Sequence, residues 1–512
     1  MERSFVRRGA ALAVAVAIAA VTAAPAAASH PHTPSPGSAG IGDPLFPTLG
    51  NGGYDAKHYS LAVRYPTAAP NETVQGKVTM YARATQALSR FNLDFDGDSV
   101  GSVAVDGRPA HFTWADEEIV ITPKRPLKDH EKFAVRVTYT AHPFTPVDTL
   151  PFGFFTVNGG SVTAGQPDVG HDFYPVNDHP ADKASYDIRF DVPEGTTAVG
   201  NGDLVFRRSS GGRTYSEYFM REPMASELIQ LAVGAFDVTD RGHVRGVHVR
   251  DVSSTTSTAV VEPALARTPD HLRWMIDRVG RYPFNAYGVL AADQRFVYAL
   301  ETQTLSLHPS LLFTPPRPPS NYEPVMVHEL AHQWFGDSVA PVRWQDVWLN
   351  EGHADYYEKA YASEFFGFDT IGYWREEYRM ANQLRAQYGP VAKPTGNDIF
   401  TLFSDNVYGG GSLALYALRQ VIGEERFSEV ERSWVRRYKD ESVGTEQWIA
   451  HVNKVTHRNL TRFLRDWLYG DTVPPMPGHP DWTADPVAAA AAQATAARSS
   501  TARSLELGLV KR

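Results

Sequence analysis

One pentapeptide narrows the architectures open to this chain more than any other stretch: His328-Glu329-Leu330-Ala331-His332, followed by Asn350-Glu351-Gly352. On a helix, residues at i and i+4 leave from one face, so the two imidazoles point the same way. Eighteen residues lie between His332 and Glu351, room for a helix end, a loop and the first turn of a second, antiparallel helix. The spacing therefore predicts two neighbouring helices that set Glu351 opposite the histidines. Two His and one Glu hold a tetrahedral zinc with its fourth position open, the arrangement of catalytic rather than structural sites. Glu329, beside the first histidine, faces that open position and can take a proton from water there. Val325, Val327, Leu330, Ala331, Trp334 and Phe335 supply an apolar body around these polar groups. The pentapeptide alone arises by chance in roughly a few per cent of chains this long, so the Asn-Glu-Gly at a matching distance is what disfavours a surface helix with incidental histidines.

Any metal must be held by His and carboxylates, because the 512 residues include no cysteine. The same absence excludes disulfides, thiolate metal sites, cysteine nucleophiles and a lipid anchor on Cys. The net charge of −9, without a long basic run, argues against nucleic acid and anionic membrane surfaces as partners. At 43% hydrophobic and 21% charged, the composition is that of a globular protein, and the length predicts more than one domain.

Residues 1–28 read as a signal peptide: Arg3, Arg7 and Arg8 precede an apolar run from Gly9 to about Val21, and Ala26-Ala27-Ala28 before Ser29 marks one cleavage site. The Arg7-Arg8 pair is a fragment of a twin-arginine signal without its remainder, and the alternative to cleavage is a retained anchor. The expectation is an exported protein without a membrane span after cleavage. Residues 29–50, rich in Pro, Ser, Gly and His, read as a flexible leader. From 51 to 240 short alternating runs predict an antiparallel β domain, a saddle or sandwich; Tyr59, Leu61, Val63 and Tyr65 share one face of the first, and Asp106-Gly107 marks a turn. From 241 to 471 the period becomes mainly helical. Expected helices cover Ala264 to Gly280, a metal helix after Pro324, Trp348 to Phe366, Thr370 to Tyr388, Leu413 to Ile422, Glu424 to Tyr438, Gln447 to His457 and Leu460 to Tyr469. Strands cover Val289 to Ala292 and Val297 to Leu307, and Gly423 and Gly470 sit where helices should be capped. Residues 472–512 read as a Pro/Ala-rich tail. The fold class is α+β, a β domain followed by a mainly helical catalytic domain.

Three further residues could carry chemistry. Glu301, in a β segment ahead of the metal helix, is placed to bind an ammonium, although an acidic residue in a strand is more often a solvated edge. Tyr408, on the glycine-rich Val407-Tyr408-Gly409-Gly410-Gly411 before a helix, can donate to an oxyanion, but such a tyrosine more often packs. Asp355 shares the face of Glu351 at i+4 and is either a carboxylate orienting a ligand histidine or a surface charge. His353, offset by two residues from Glu351, should point away from the metal.

Together these stretches resemble the zinc aminopeptidase family of aminopeptidase N and leukotriene hydrolase, within the gluzincins. The likeness runs from His328-Glu329-Leu330-Ala331-His332 through Gln333-Trp334-Phe335-Gly336 to Trp348-Leu349-Asn350-Glu351-Gly352, with Tyr298 to Thr302 resembling the family's G-x-M-E-N segment and Tyr408 to Ser412 its Y-x-K-G-A segment. Asp178-His179-Pro180, Lys183-Ala184 and Asn201-Gly202 also look like family features. The resemblance implies a β saddle on a thermolysin-like catalytic domain, one zinc per chain on His328, His332 and Glu351, and Glu329 as general base and proton shuttle. It implies that Tyr408 stabilises the intermediate, and that Glu301, helped by Gln166 and with Ala299 beside it, grips the substrate's amino terminus. Tyr298 stands where the family has Gly, Thr302 where it has Asn, and Gly410 where it has Lys; these leave the ligands and base intact and bear on substrate choice. The likeness ends near Gly470, without the family's large C-terminal helical domain, which predicts a more open cleft.

The expectation is thus a secreted zinc aminopeptidase acting on peptides. The competing readings are an endopeptidase with the same metal site, which Tyr298 and the open cleft motivate, and a peptide-binding module that keeps zinc only as structure.

Overall fold

A computed structural model describes residues 33–67, 73–144, 152–157, 160–293, 298–314 and 317–487. The expected signal segment, Val297 and the Ala-rich end beyond 487 lie outside the described residues. Among the described residues no helix is long and apolar enough to cross a membrane.

The N-terminal part is sheet-rich, as the short alternating runs predict. Its main sheet has eight strands in the order Asp203–Ser210, Arg213–Met224, Ala184–Pro193, Tyr54–Arg64, Val74–Ala84, Lys132–Ala141, Ser99–Val105 and Arg108–Pro109. All neighbours are antiparallel except Tyr54–Arg64 beside Ala184–Pro193. Alternation sets the register: Tyr59, Leu61 and Val63 turn into the core and are at most 2% exposed, each contributing about 1.5–3 kcal/mol relative to exposure. Asp106 and Gly107 take positive φ in the predicted turn. Two four-stranded sheets complete this part, one including Leu88–Asp94 and Glu118–Thr122, the other Gly153–Val157 and Gly160–Ala164.

The second part opens on a five-stranded sheet whose first strand, Phe236–Val244, already straddles the boundary expected at 240. Val247–Ser254, Val289–Ala292 and Ser306–Pro309 follow as parallel neighbours. Among the described residues this part has ten helices: α1 (Thr258–Leu265), α2 (Thr268–Val279), α3 (Glu323–His332), α4 (Trp348–Phe366), α5 (Thr370–Tyr388), α6 (Ile399–Leu402), α7 (Asp405–Ile422), α8 (Glu424–Arg437), α9 (Thr445–Thr456) and α10 (Thr461–Tyr469). The helix expected over Ala264 to Gly280 is two helices, because a proline in the first turn of α2 fixes a new start there. Pro324 likewise lies inside the first turn of α3 rather than before it.

The larger correction concerns α7. It begins at Asp405, eight residues before Leu413, and so carries Tyr408 and three consecutive glycines within a helix rather than on a turn. Glycine disfavours a helix interior by about 1 kcal/mol each, so packing must outweigh propensity. A Cβ on Gly411 would lie 2.9 Å from the Gly352 Cα, and one on Gly352 2.9 Å from the Gly411 backbone. Helices α4 and α7 cross backbone to backbone at this point, which only glycines permit.

Two segments expected to be loose are packed. Within 33–50, Ser35–Pro36 pairs with the strand Leu88–Asp94. Asp43 is buried and accepts from the Leu45, Phe46 and Trp344 backbone N–H groups at 2.8, 3.1 and 2.7 Å. Phe46 meets the Trp344 ring edge-on. At the other end, residues 472–487 lie against α5 and α7: the Tyr416 hydroxyl meets His479 Nε2 at 2.6 Å, His479 stacks on Trp482, and Met476 and Trp482 are buried. A few aromatic anchors tie each segment down, which average composition does not reveal. Gly423 follows α7 at φ +82°, whereas Gly470 follows α10 in extended backbone, where a Cβ would lie 2.4 Å from the Asp466 carbonyl.

Candidate metal centre

Helices α3 and α4 deliver the predicted trio. His328 Nε2 and His332 Nε2 each lie 3.4 Å from Glu351 Oε2, and all three residues are buried. Two ligands about 2.0–2.1 Å from one tetrahedral ion are themselves separated by about 3.4 Å, so the spacing suits zinc. The ring nitrogens turned away from Glu351 are both engaged. His332 Nδ1 lies 3.1 Å from the Phe335 carbonyl, which can only accept, so Nδ1 keeps its proton and Nε2 is the nitrogen left for an ion. His328 Nδ1 lies 3.0 Å from Glu358 Oε2, which imposes the same tautomer. Glu351 Oε2 has no hydrogen-bond partner among the described residues.

The electrostatics point the same way. Against the opposing push of burial, the carboxylates of Glu301 and Glu351 raise the His332 imidazole to about 9, and the paired imidazoles bring the Glu351 carboxyl down to about 2. With only protons to balance the charge, the trio collects them on its histidines. A divalent cation is the natural replacement for those protons, and these residues fit one.

Glu329 and Glu301 close the other side of the site: with His332 they place ligand atoms within 4.8 Å of one another. Burial lifts the Glu329 carboxyl to about 8, and a cation alongside would counter that rise. Glu301 follows Leu300, whose backbone bridges to Leu307, and sits in a tight loop rather than in the expected strand. The loop turns back through Thr304 at φ +68°. Gln166 Nε2 donates to Glu301 Oε1 at 2.8 Å, so the two residues assigned to the substrate's amino terminus touch. Ala299 is half-buried two residues earlier. Tyr298 stacks on Phe152 with ring centroids 4.8 Å apart, joining the catalytic segment to the β domain.

The family-like residues of the β domain are struts for this loop and for the end of the metal helix. Asn201 Nδ2 donates to the Gln303 carbonyl at 2.6 Å, and Gly202 N–H to Thr304 Oγ1 at 2.8 Å. Lys183 Nζ donates to the Asp337 and Ser338 carbonyls at 2.6 and 2.8 Å. On the catalytic side, Gln333 Nε2 donates to the Glu301 carbonyl.

Tyr408, from α7, lies nearly parallel to the His328 ring at 5.8 Å between centroids and so reaches the site. His353 stays away from it, stacked on Phe335 at 4.4 Å with Nδ1 on the Leu349 carbonyl. Asp355 accepts from the Tyr373 hydroxyl and pairs with Lys359. The carboxylate on the His328 ring is Glu358, which sequence reasoning missed. It stands seven residues after Glu351, two turns along the same face, and that spacing was the available signal. Its second oxygen takes the Lys359 ammonium at 2.5 Å.

The Peptidase family M1 domain model matches residues 264–467, and the Peptidase M1 N-terminal domain model matches residues 55–228. Leukotriene A-4 hydrolase of Xenopus laevis is 28% identical over 332 residues, 60% of this chain and 52% of that protein. Leucyl aminopeptidase of Saccharolobus solfataricus is 24% identical over 344 residues, 63% of this chain and 42% of that protein. The chain thus spans about half, or less, of the length of these relatives. A crystal structure of an M1 zinc metallopeptidase from Deinococcus radiodurans superposes with a TM-score of 0.74 at 30% identity, covering 86% of this chain and 98% of that one.

Proposed function

The chain belongs to peptidase family M1, and on that premise we propose that it is a zinc-dependent aminopeptidase removing N-terminal residues from peptides. The observation that carries the reading is the adjacency of two sets of groups around His332: the trio His328, His332 and Glu351, and the pair Glu301 and Glu329. One set suits an ion and the other a substrate's charged end and a proton. Zinc, when bound, supplies Lewis-acid polarisation of a carbonyl and of water.

This chain's residues supply the rest. Glu301 receives the α-ammonium, and Gln166, donating to Oε1, fixes the carboxylate so that Oε2 remains for the substrate. That contact sets the distance from the amino terminus to the scissile bond, which makes the reaction an exopeptidase one. Glu329 takes a proton from the attacking water and returns it to the leaving amine. Tyr408 donates its hydroxyl hydrogen to the oxyanion that develops on the former carbonyl. Glu358 and the Phe335 carbonyl hold the imidazoles in their working tautomer.

Replacing Glu329 by Gln should leave zinc content at one per chain while turnover of a free-amine peptide falls at least ~100-fold, the scale of a lost general base. Turnover within a few-fold of wild type would overturn the assignment of Glu329. N-acetylated peptides test the exopeptidase reading, since cleavage as fast as that of the free amine would favour an endopeptidase. We also propose that the protein is exported, on the strength of Arg3, Arg7 and Arg8 ahead of the apolar run from Gly9 to about Val21. Intact-mass analysis of protein recovered from the medium would show removal of about the first 28 residues; retention of the whole segment on cell-bound protein would refute it.

A further inference from the structure

The β domain carries a second cluster of charge that the proposed reaction does not use. Asp94 and Glu118 face each other directly across the antiparallel strands Leu88–Asp94 and Glu118–Thr122. Like charges in that register repel, and here the interior intensifies the repulsion. Asp94 is 4% exposed, and neither Glu118 carboxylate oxygen has a hydrogen-bond partner among the described residues. Asn51 is fully buried and reaches toward Glu118, yet its side-chain nitrogen and oxygen are likewise without a partner among the described residues. Its backbone is pinned on both sides by Asn177, at 2.5 and 3.2 Å, so the side chain cannot withdraw to solvent. Asn92, two residues before Asp94 on the same strand face, also approaches Glu118.

One cationic side chain lies close by. His171 is committed to Asp178 through its backbone N–H at 3.0 Å and Nδ1 at 2.7 Å. Asp178 in turn spends its backbone N–H on Asp94 Oδ2 at 2.8 Å and its Oδ1 on the Ser226 hydroxyl at 2.6 Å. That imidazole is shared among Asp178, Glu117 at 3.7 Å from its Nε2, Asp94 and Glu118, one cation against four carboxylates. Burial pushes the Glu118 carboxyl up to about 7, against the opposing pull of the Asn51 amide, the His171 imidazole and the Asn92 amide.

We propose that Asp94, Glu118, Asn51 and Asn92 form a binding site for a hard divalent cation of the calcium class, which ties the two strands together inside the β domain. The donor chemistry is that of such ions: carboxylate and amide oxygens without imidazole or thiolate. Turning the Asn51 amide to present its oxygen satisfies a group that is otherwise orphaned. None of these residues belongs to the metal centre on α3 and α4, so the site is independent of the peptidase assignment.

The test uses the full-length, zinc-loaded protein, freed of loose ions by gel filtration at pH 8. Calcium at 5 mM should raise the Tm by about 2 °C or more, the shift expected when a ligand binds only the folded state well above its Kd. Magnesium and sodium should raise it less. In Glu118→Gln the calcium response should vanish, while the ion-free Tm should equal or exceed that of wild type because the repelling pair is gone. Asn51→Asp, which adds a carboxylate, should enlarge the calcium response and serves if the first variant fails to fold. A wild-type Tm unmoved by calcium, magnesium and sodium would overturn the proposal, as would a calcium response undiminished in Glu118→Gln or unchanged in Asn51→Asp.

Discussion

Glu358 offers the sharpest test of how the metal centre is built. One carboxylate oxygen accepts from His328 Nδ1 at 3.0 Å and the other from Lys359 at 2.5 Å. Its side chain is 16% exposed, so solvent screens these contacts little. A hydrogen bond to a charged partner is worth about 1.5–3 kcal/mol and a neutral one about 0.5–1.5. Glu358→Gln keeps an acceptor but loses the charge, a difference of about 1–1.5 kcal/mol and hence about tenfold in zinc affinity. Glu358→Ala loses the bond itself and frees the His328 ring to rotate, which should approach the hundredfold end of such effects, about 2.7 kcal/mol. Zinc dissociation constants from competition with a chromophoric chelator would measure both. The Tm of the metal-free proteins separates site effects from folding. If both variants hold zinc within twofold of wild type, the carboxylate does not orient His328 in a way that matters to the ion.

Three further outcomes follow from the same contacts. Glu301→Gln should raise KM for free-amine peptides by about tenfold or more, the weight of a lost charge-assisted bond, while slow cleavage of N-acetylated peptides stays unchanged; equal effects on both substrates would refute ammonium binding. Gly411→Ala forces a methyl to within 2.9 Å of the Gly352 Cα and should destabilise the fold by about 1–3 kcal/mol in urea unfolding, whereas a neutral result would show that α4 and α7 can separate cheaply. Asp43 is held below the usual carboxylate range: burial raises its pKa, but His179 and the backbone N–H groups of Trp344, Leu45 and Phe46 outweigh that effect. A depressed folded-state pKa contributes stability above the unfolded value near ~4 and loses it as pH falls through the folded one. Asp43→Asn should therefore cost stability at pH 7 and progressively less below pH ~4. A cost equal at both pH values would remove the electrostatic explanation.

Much of the metal centre was legible because its information is local. The i, i+4 histidines and the span to Glu351 impose one geometry on any pair of antiparallel helices, and α4 runs over the predicted residues, Trp348 to Phe366. The inward alternation of Tyr59, Leu61 and Val63 was equally local, since a strand's period is two. Glu358 obeys the same helical arithmetic at i+7, but Asp355 obeys it at i+4, and only the packing of α3 on α4 decides which carboxylate meets His328.

Other features depended on chain segments far apart in sequence. Helix propensity places Tyr408-Gly409-Gly410-Gly411 on a turn, but the meeting of Gly411 with Gly352, fifty-nine residues earlier, makes them helical and brings Tyr408 against His328. The segment around Asp43 reads as loose from its composition; the Trp344 backbone, three hundred and one residues away, holds it in place. Asp94 and Glu118 stand twenty-four residues apart in an unremarkable sequence, and strand pairing alone makes them neighbours in the interior. Periodicity along the chain states which side chains share a face. Which face it meets depends on close packing between distant segments, and there a single missing Cβ or one buried charge outweighs local preference.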